Sequence, residues 1–413
     1  MTLLAGDGRP LKAAIQRAER GKRIKALLLV TPLLAFLGVG FILPLGDMLL
    51  RSIDNASIPA SLPNTMQALA SWKGEETPGE SVFRAAYQDL LTAGKTKTHG
   101  RLAGRLNYDY SGARSLIAKT VRRIDRIDPQ APIKPAFLNI HKDWNDVRFW
   151  RVVARNSSAY TGKHYLESLD LEYDEQGGIV ARDENHSVNL PLFGRTLLLS
   201  AFITLFTAML GYPVALLLGN QPLRRSNLLM ILVLLPFWTS LLVRTSAWIV
   251  ILQSNGVLND LLVWMGVIEN ENRVQMIYNT TGTLVAMTHI LLPFMVLPLY
   301  AVMKTIPGQY TNAARSLGAT AFTAFRKVYF PLTLPGLGAG AALVFILSVG
   351  YYITPALVGG QSGRFITNKI AYHMNTSLNW GLAAALSTLL LLVVTVCYLV
   401  YNRLVGVDRI RLG

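Results

Sequence analysis

Six stretches of this 413-residue chain are each apolar over about 20 residues or more, the length that carries a helix across the hydrocarbon core of a bilayer. In lipid every backbone N–H and C=O must find its partner within the protein, so runs of this kind point to an all-α membrane protein. They lie at 24–50, 196–219, 228–252, 282–303, 332–353 and 380–402. Composition agrees, with 51% hydrophobic and 15% charged residues, against roughly 25% charged in a soluble domain. Pro213, Pro236, Pro293 and Pro298 fall inside the runs. Each removes one helical hydrogen bond and predicts a kink that neighbouring helices must support.

A basic stretch, Arg17, Arg20, Lys22, Arg23 and Lys25, precedes the first run in the manner of a secretory signal. The run is longer than a signal core and ends in ILPLGDM without a small-residue cleavage pattern, so it is expected to stay as a membrane helix. Basic stretches at the N-terminus, at Arg224 and Arg225, at 304–327 and in the C-terminal tail alternate with short loops that hold only Arg273, Arg364 and Lys369. The positive-inside rule therefore puts both termini in the cytoplasm.

The formal net charge of +16 suggests a nucleic-acid partner at first sight. Segment 51–193, however, holds 19 basic and 17 acidic residues, so most of the excess sits on the cytoplasmic flanks, where it fits topology and contact with anionic membrane lipid. No nucleic-acid role follows. The same logic makes Leu11 to Lys25 an expected amphipathic interfacial helix. Cys397 is the only cysteine, which excludes an internal disulfide and a cysteine metal site. The GLGAG run at 336–340 lacks the strand, lysine and downstream acid of a phosphate or dinucleotide loop. Close helix packing is its expected use. No catalytic or metal-ligating set emerges, and any ATP and magnesium used with this chain would belong to another subunit.

Between the first two runs lie about 140 residues with helical patterns at 80–92, 112–126 and 143–154, separated by turn-rich stretches such as DPQAPIKP. They predict a mainly helical inserted domain, either a rigid cover or a dock for a soluble partner.

The loop between the fourth and fifth runs reads NAARSLGATAFTAFRKVYFPLTLPG at 312–336. Ala313, Ala314 and Gly318 predict a short helix with a shallow surface that another protein's groove can approach, ended by Pro331 and Pro335. This segment resembles the cytoplasmic signature of MetI-like ABC importer permeases: E-A-A, three residues, G, nine residues, then I-x-L-P. Here Asn312, Ala313 and Ala314, then Gly318, then Val328 to Pro331 keep the spacing, with Asn312 in place of Glu. The blocks LLPFWTSLLVRTSAWIVIL (234–252), NGVLND (255–260) and GYYITPALVGG (350–360) are similar to the spermidine/putrescine permease branch over roughly 194–413.

The resemblance implies a six-helix permease fold in the bacterial inner membrane, paired with a second permease subunit above two ATPase subunits. A periplasmic binding protein would deliver a small organic solute, polyamine-like. In that frame the chain divides into a basic amphipathic segment 1–23, a first membrane helix 24–50, a periplasmic inserted domain 51–193, a five-helix core 194–404 with a coupling loop 304–331, and a cytoplasmic tail 405–413. For the solute path the third run is the expected place. Ser240, Arg244 and Trp248 recur at helical spacing, and a charge in a membrane helix faces protein or a watery cavity unless it snorkels or ties a neighbouring carbonyl. Trp238, Tyr351 and Tyr352 offer aromatic faces to a cation, or simply pack. The runs contain no buried Asp or Glu as a counter-charge. A secondary transporter, or a membrane-anchored receptor with 55–192 as its working domain, are the alternatives from other classes.

Overall fold

The computed structural model describes residues 11–174 and 177–405. The first ten residues of the expected basic segment, and all but the start of the expected tail, lie outside the described residues. Among the described residues six helical segments are long and apolar enough to cross a membrane: Lys22–Ile53, Asn189–Asn220, Leu241–Trp264, Thr280–Thr305, Ala321–Gly350 and Trp380–Arg403. They are called spans one to six below. The chain forms two compact units, Met1–Thr161 and Gly162–Gly413.

In the first unit, helix Leu11–Leu37 continues through a π-helical turn, Gly38–Ile42, into Leu43–Ile53. The expected interfacial helix at 11–25 is therefore not a separate element, because nothing between it and span one breaks the backbone ladder. After Asp54 come helices Ser57–Ser61, Pro63–Leu69, Glu80–Lys95, His99–Leu106, Ala113–Arg123, Ile133–Ile140 and Val147–Arg155. The predicted helical pattern at 80–92 falls wholly on these elements, while those at 112–126 and 143–154 fall on them in part and otherwise on short 3₁₀ turns, Ile124–Arg126 and Lys142–Asn145. Their shared core is aromatic. Phe83, Phe137, Trp144, Phe149 and Trp150 are each no more than 2% exposed, and their rings meet edge-on or tilted at centroid separations of 4.8 to 6.3 Å, the arrangement their quadrupoles favour.

Carboxylates close the helix ends of this unit. Buried Asp89 accepts from the backbone N–H of Asn64 and Thr65 and from both side chains. Glu80 accepts from the N–H groups of Ile133 and Lys134. Each thereby satisfies amide donors that a helix N-terminus leaves free. The domain's two ends meet: Thr161 N–H donates to Ile53 C=O at 2.8 Å, and the Asn55 amide donates to Asn156 and Ser158 carbonyls.

The second unit begins at Gly162, so the division falls well inside the segment expected to be one inserted domain. Helix Lys163–Ser168 and a hairpin of Leu171–Tyr173 with Ile179–Ala181 belong with the helices that follow. The Asp170 carboxylate accepts from the N–H groups of Val188, Asn189 and Leu190 at 3.3, 3.1 and 2.7 Å, capping span two. Beside it Glu167 is ringed by Lys163, Arg182 and His164 at 3.3, 3.5 and 3.7 Å. Burial alone would push its carboxyl up; the adjacent His164 ring and the surrounding positive charges outweigh that and hold it at about 2.

Spans two, four and five pack most closely. Gly211, Gly336 and Gly340 are the points of contact. A Cβ on Gly340 would lie 2.8 Å from Met295 Sδ and 3.1 Å from its carbonyl oxygen, and one on Gly336 would lie 3.0 Å from Pro298 O. The GLGAG run thus serves helix packing, the small-residue contact that replaces the hydrophobic drive inside lipid. Pro213, Pro293, Pro298 and Pro335 are all accommodated within continuous helices.

Candidate functional site: a docking helix and an interrupted span

The first candidate element is the segment between spans four and five. Helix Gln309–Ser316 has no buried residue. Asn312, Ala313, Ala314, Ser316 and Arg315 thus project from an exposed element. Asn312 lies in its second turn rather than at its cap, which is Gly308, so the capping role open to an asparagine is not the one it fills.

Gly318 differs from the sequence expectation. It is not on the helical surface; it stops the helix. With φ at +88°, its N–H donates to Arg315 C=O at 3.0 Å and that of Ala319 to Ala314 C=O at 3.1 Å, the paired bonds of a Schellman ending. The positive φ is the reason for glycine here, since a Cβ is disfavoured in that region. A Cβ would otherwise meet open space. Pro331 and Pro335 do not end this helix either. A new helix starts after Thr320, whose hydroxyl accepts from Thr323 N–H, and runs through a π-helical turn, Phe325–Tyr329, into Phe330–Gly350. Pro331 directly follows the π-helical turn, where the α-helical ladder is already interrupted.

Two features escaped the sequence reading. Leu317 is 90% exposed and Phe322 is 69% exposed, with Tyr310 also in the open, so the short helix is flanked by bare apolar side chains. Behind it, Tyr212 of span two meets Phe325 and Phe330 at 6.2 and 5.7 Å and its hydroxyl pairs with that of Thr333 at 3.1 Å. The π-helical turn is thereby tied to spans two and five.

The second element is the expected third span, which is not one helix over 228–252. Helix Leu223–Leu234 passes into a tight 3₁₀ turn, Leu235–Trp238, and stops; helix Leu241–Leu252 starts afresh. Pro236 lacks an N–H and its ring opposes a continuing α-helix. Ser240 caps the new helix by accepting from Val243 N–H at 3.1 Å. Ser240 therefore does not share a helical stripe with Arg244 and Trp248.

Arg244 turns back on the break. Its guanidinium donates to the carbonyl of Pro236 and, at 3.0 Å, to that of Thr239, while its Nε reaches the Thr239 hydroxyl at 3.4 Å. This is the carbonyl-tying arrangement. Trp248 Nε1 donates to His289 Nδ1 of span four at 3.2 Å, and His289 is a polar span residue the sequence reading missed. Arg244 lies within electrostatic reach of His289 and Tyr351. Trp238 is 74% exposed at the break, and Tyr352 is exposed just past span five. Among the described residues no group of three or more His, Cys, Asp or Glu could hold a metal ion.

The family described as binding-protein-dependent transport system inner membrane component matches residues 211–407. The chain is 35% identical over 218 residues to the spermidine/putrescine transport system permease protein PotB of Escherichia coli (strain K12), covering 53% of this chain and 75% of that protein. The chain belongs to the inner-membrane components of binding-protein-dependent transport systems. It is thus an ABC importer permease subunit, a multi-pass inner-membrane protein, and its relatives are transport subunits rather than enzymes. It is also similar to the inner membrane ABC transporter permease protein YdcU of the same organism, at 29% identity over 53% of this chain and 72% of that one. A bacterial ABC transporter involved in import of the acidic polysaccharide alginate aligns with a TM-score of 0.44 at 18% identity, over 56% of this chain and 81% of that chain. The family match begins at Gly211, so the aromatic inserted unit of this permease lies outside it.

Proposed function

We propose that this permease pairs with a second permease subunit to form the path for a polyamine-like solute, delivered by a periplasmic binding protein and driven by two ATPase subunits that bind ATP and magnesium. Both termini face the cytoplasm, and helix Gln309–Ser316 is the coupling element. Asn312, Ala313 and Ala314 lie against the ATPase, with Gly318 fixing the helix end. The single observation carrying this reading is an exposed short helix, flanked by bare Leu317 and Phe322 and placed at the family's signature spacing. Closure of the ATPases would move that helix, and the π-helical turn packed edge-on against Tyr212 would pass the movement to spans two and five, a rigid-element route of the kind that switches bistable bundles. Likeness to a spermidine/putrescine permease supports the solute class.

The test is uptake of radiolabelled spermidine and putrescine into proteoliposomes holding the four-subunit complex. Transport that needs internal or external ATP on the ATPase side and the binding protein supports the reading. Uptake that persists without ATP makes the chain a secondary carrier, and ATP-driven uptake of another solute class alone overturns the polyamine assignment.

A further inference from the structure

Resting on the reading of this chain as a permease for a polyamine-like cation, we propose that the break in the third span is an ammonium-binding station, and that Arg244 fills it as a tethered cation when no solute is present. The break leaves the carbonyl of Thr239 outside both helices and that of Pro236 with only a long 3₁₀ bond from Thr239 N–H at 3.3 Å. Both, with the Thr239 hydroxyl, take hydrogen bonds from the one guanidinium of Arg244. The Thr239 hydroxyl itself donates to Pro236 C=O at 2.8 Å. Three neutral oxygens converging on a single positive group form an acceptor set that an alkylammonium, with its three N–H donors, can use equally well. Interrupted helices in membranes present main-chain carbonyls to cations in this way.

The surroundings agree in chemistry. Spans two, four, five and six contain no Asp or Glu. Asp260, at the outer end of span three, is paired with Arg273 at 2.8 Å. A cation crossing this subunit therefore has oxygens and aromatic faces as its partners rather than carboxylates. Trp238 stands exposed in the broken turn itself, Trp248 lies one turn along, and Tyr351 is within the field of Arg244. Aromatic faces of this kind attract an alkylammonium most where water is excluded. His289 adds no obstacle: its Nδ1 accepts from Trp248, a bond that the neutral ring makes.

Exchange of Arg244 for a solute ammonium keeps one positive charge on the oxygens throughout, so neither the carbonyls nor the cation is left unpaired. The arrangement also explains how a permease whose span carboxylates, Asp47 and Asp260, are each paired with an arginine can pass a cation while staying shut to it at rest. A structural strut would use the same hydrogen bonds but would not compete with solute.

The experiment uses the full complex in lipid nanodiscs without the binding protein, and reads equilibrium binding of radiolabelled spermidine. Wild-type permease should bind weakly. Arg244→Ala should bind about tenfold tighter or more, because a tether that occupies the site most of the time lowers apparent affinity by the fraction of time the site is open. Arg244→Lys keeps a tethered cation and should remain near wild type. Arg244→Gln, which can still donate to the carbonyls without carrying charge, should gain binding even if Arg244→Ala fails to assemble. Adding Thr239→Val to either gain-of-binding variant should reverse part of the gain, and fully acetylated spermidine should not compete. Unchanged binding in assembled Arg244→Ala and Arg244→Gln complexes overturns the tether. Equal competition by the acetylated compound overturns the ammonium station. If wild-type proteoliposomes import spermidine while these variants gain nothing, only this inference fails; if they import no cation at all, the parent reading has failed.

Discussion

The two units of this chain bury different things. The inserted unit closes around Phe83, Phe137, Trp144, Phe149 and Trp150 and finishes its helix ends with carboxylates such as Asp89 and Glu80. In the permease unit spans four and five meet through glycines set against Met295 and Pro298, and the broken helix is finished by an arginine. The difference is one of solvent. In water, burying a large ring is rewarded by the area withdrawn; in lipid the surroundings are as apolar as the side chain, so helices associate through close approach and satisfied backbone.

That contrast predicts separate failures. The largest effect should come from Gly340→Leu, because the added side chain must displace Met295 and its backbone. We expect loss of folded permease, seen as absence of a monodisperse complex after extraction, whereas Gly104→Leu on the inserted unit, where a Cβ would approach only the end of Arg114 at 3.7 Å, should be tolerated. Next is Trp150→Ala, which should cost about 3–5 kcal/mol in the inserted unit. Protease should then cut within 55–161 while the permease unit still assembles with its ATPase. If both units are lost together, they do not fold independently and the contrast is wrong.

A smaller effect belongs to Asp170→Ala. Removing three charge-assisted bonds to the start of span two should lower stability by about 1–2 kcal/mol, as loss of a strong helix cap does, with Asp170→Asn milder. The consequence for truncation is specific: replacing 57–158 with a short Gly/Ser linker should leave the permease unit intact, whereas a cut through to 185 removes Glu167 and Asp170 and should destabilise it. Thermal unfolding of the two deletions distinguishes them. Stimulation of the ATPase by binding protein in the shorter deletion then decides whether the inserted unit is a dock or a cover.

Smaller still is a pH effect. Burial, with help from Lys369, lowers His373 from its ordinary 6.5 to about 4, against a weaker opposing influence from Glu167. Its Nδ1 pairs with the Ser377 hydroxyl at 2.8 Å. Because the folded value lies below the unfolded one, this contribution is complete above pH 6.5 and is lost as pH falls towards 4. Glu167 loses its own contribution only further down, between its ordinary 4.5 and about 2. Melting temperature should therefore decline between pH 6.5 and 4, and His373→Gln should flatten that part of the curve. An unchanged slope in the variant would assign the decline elsewhere.

Much of this was legible in the sequence because membrane spans are set by length and apolarity, and the inserted helices by period. The errors share a cause. Pro213, Pro293 and Pro298 sit in continuous helices while Pro236 ends one, yet all four look alike in a hydropathy pattern. What differs is the set of alternative partners, Ser240 and Arg244, that meets the freed backbone groups. Gly318 was found by spacing but misread as a surface glycine, since a positive φ leaves no mark on composition. Asp170 and Glu167 look like ordinary surface acids, so the sequence offered no sign that residues 162–188 belong with the permease unit. His289 was missed because a single histidine in an apolar run carries no pattern of its own.

The corrected geometry changes what Gly318 should do. Gly318→Ala, which would favour a helix at an interior position, should instead cost about 1 kcal/mol by straining the left-handed ending. It should weaken coupling, read as ATP hydrolysed per solute imported, and leave hydrolysis itself in place. The central claim, that Gln309–Ser316 is the coupling helix, is tested most directly by cross-linking. In a Cys397→Ser background, Ala313→Cys should form an adduct with the ATPase subunit through a short bifunctional thiol reagent, using a cysteine placed in the ATPase groove, and its yield should change between the ATP-bound and nucleotide-free states. A purified complex that retains its ATPase and hydrolyses ATP, yet gives no adduct from Ala313→Cys or Ser316→Cys in either state, would contradict it.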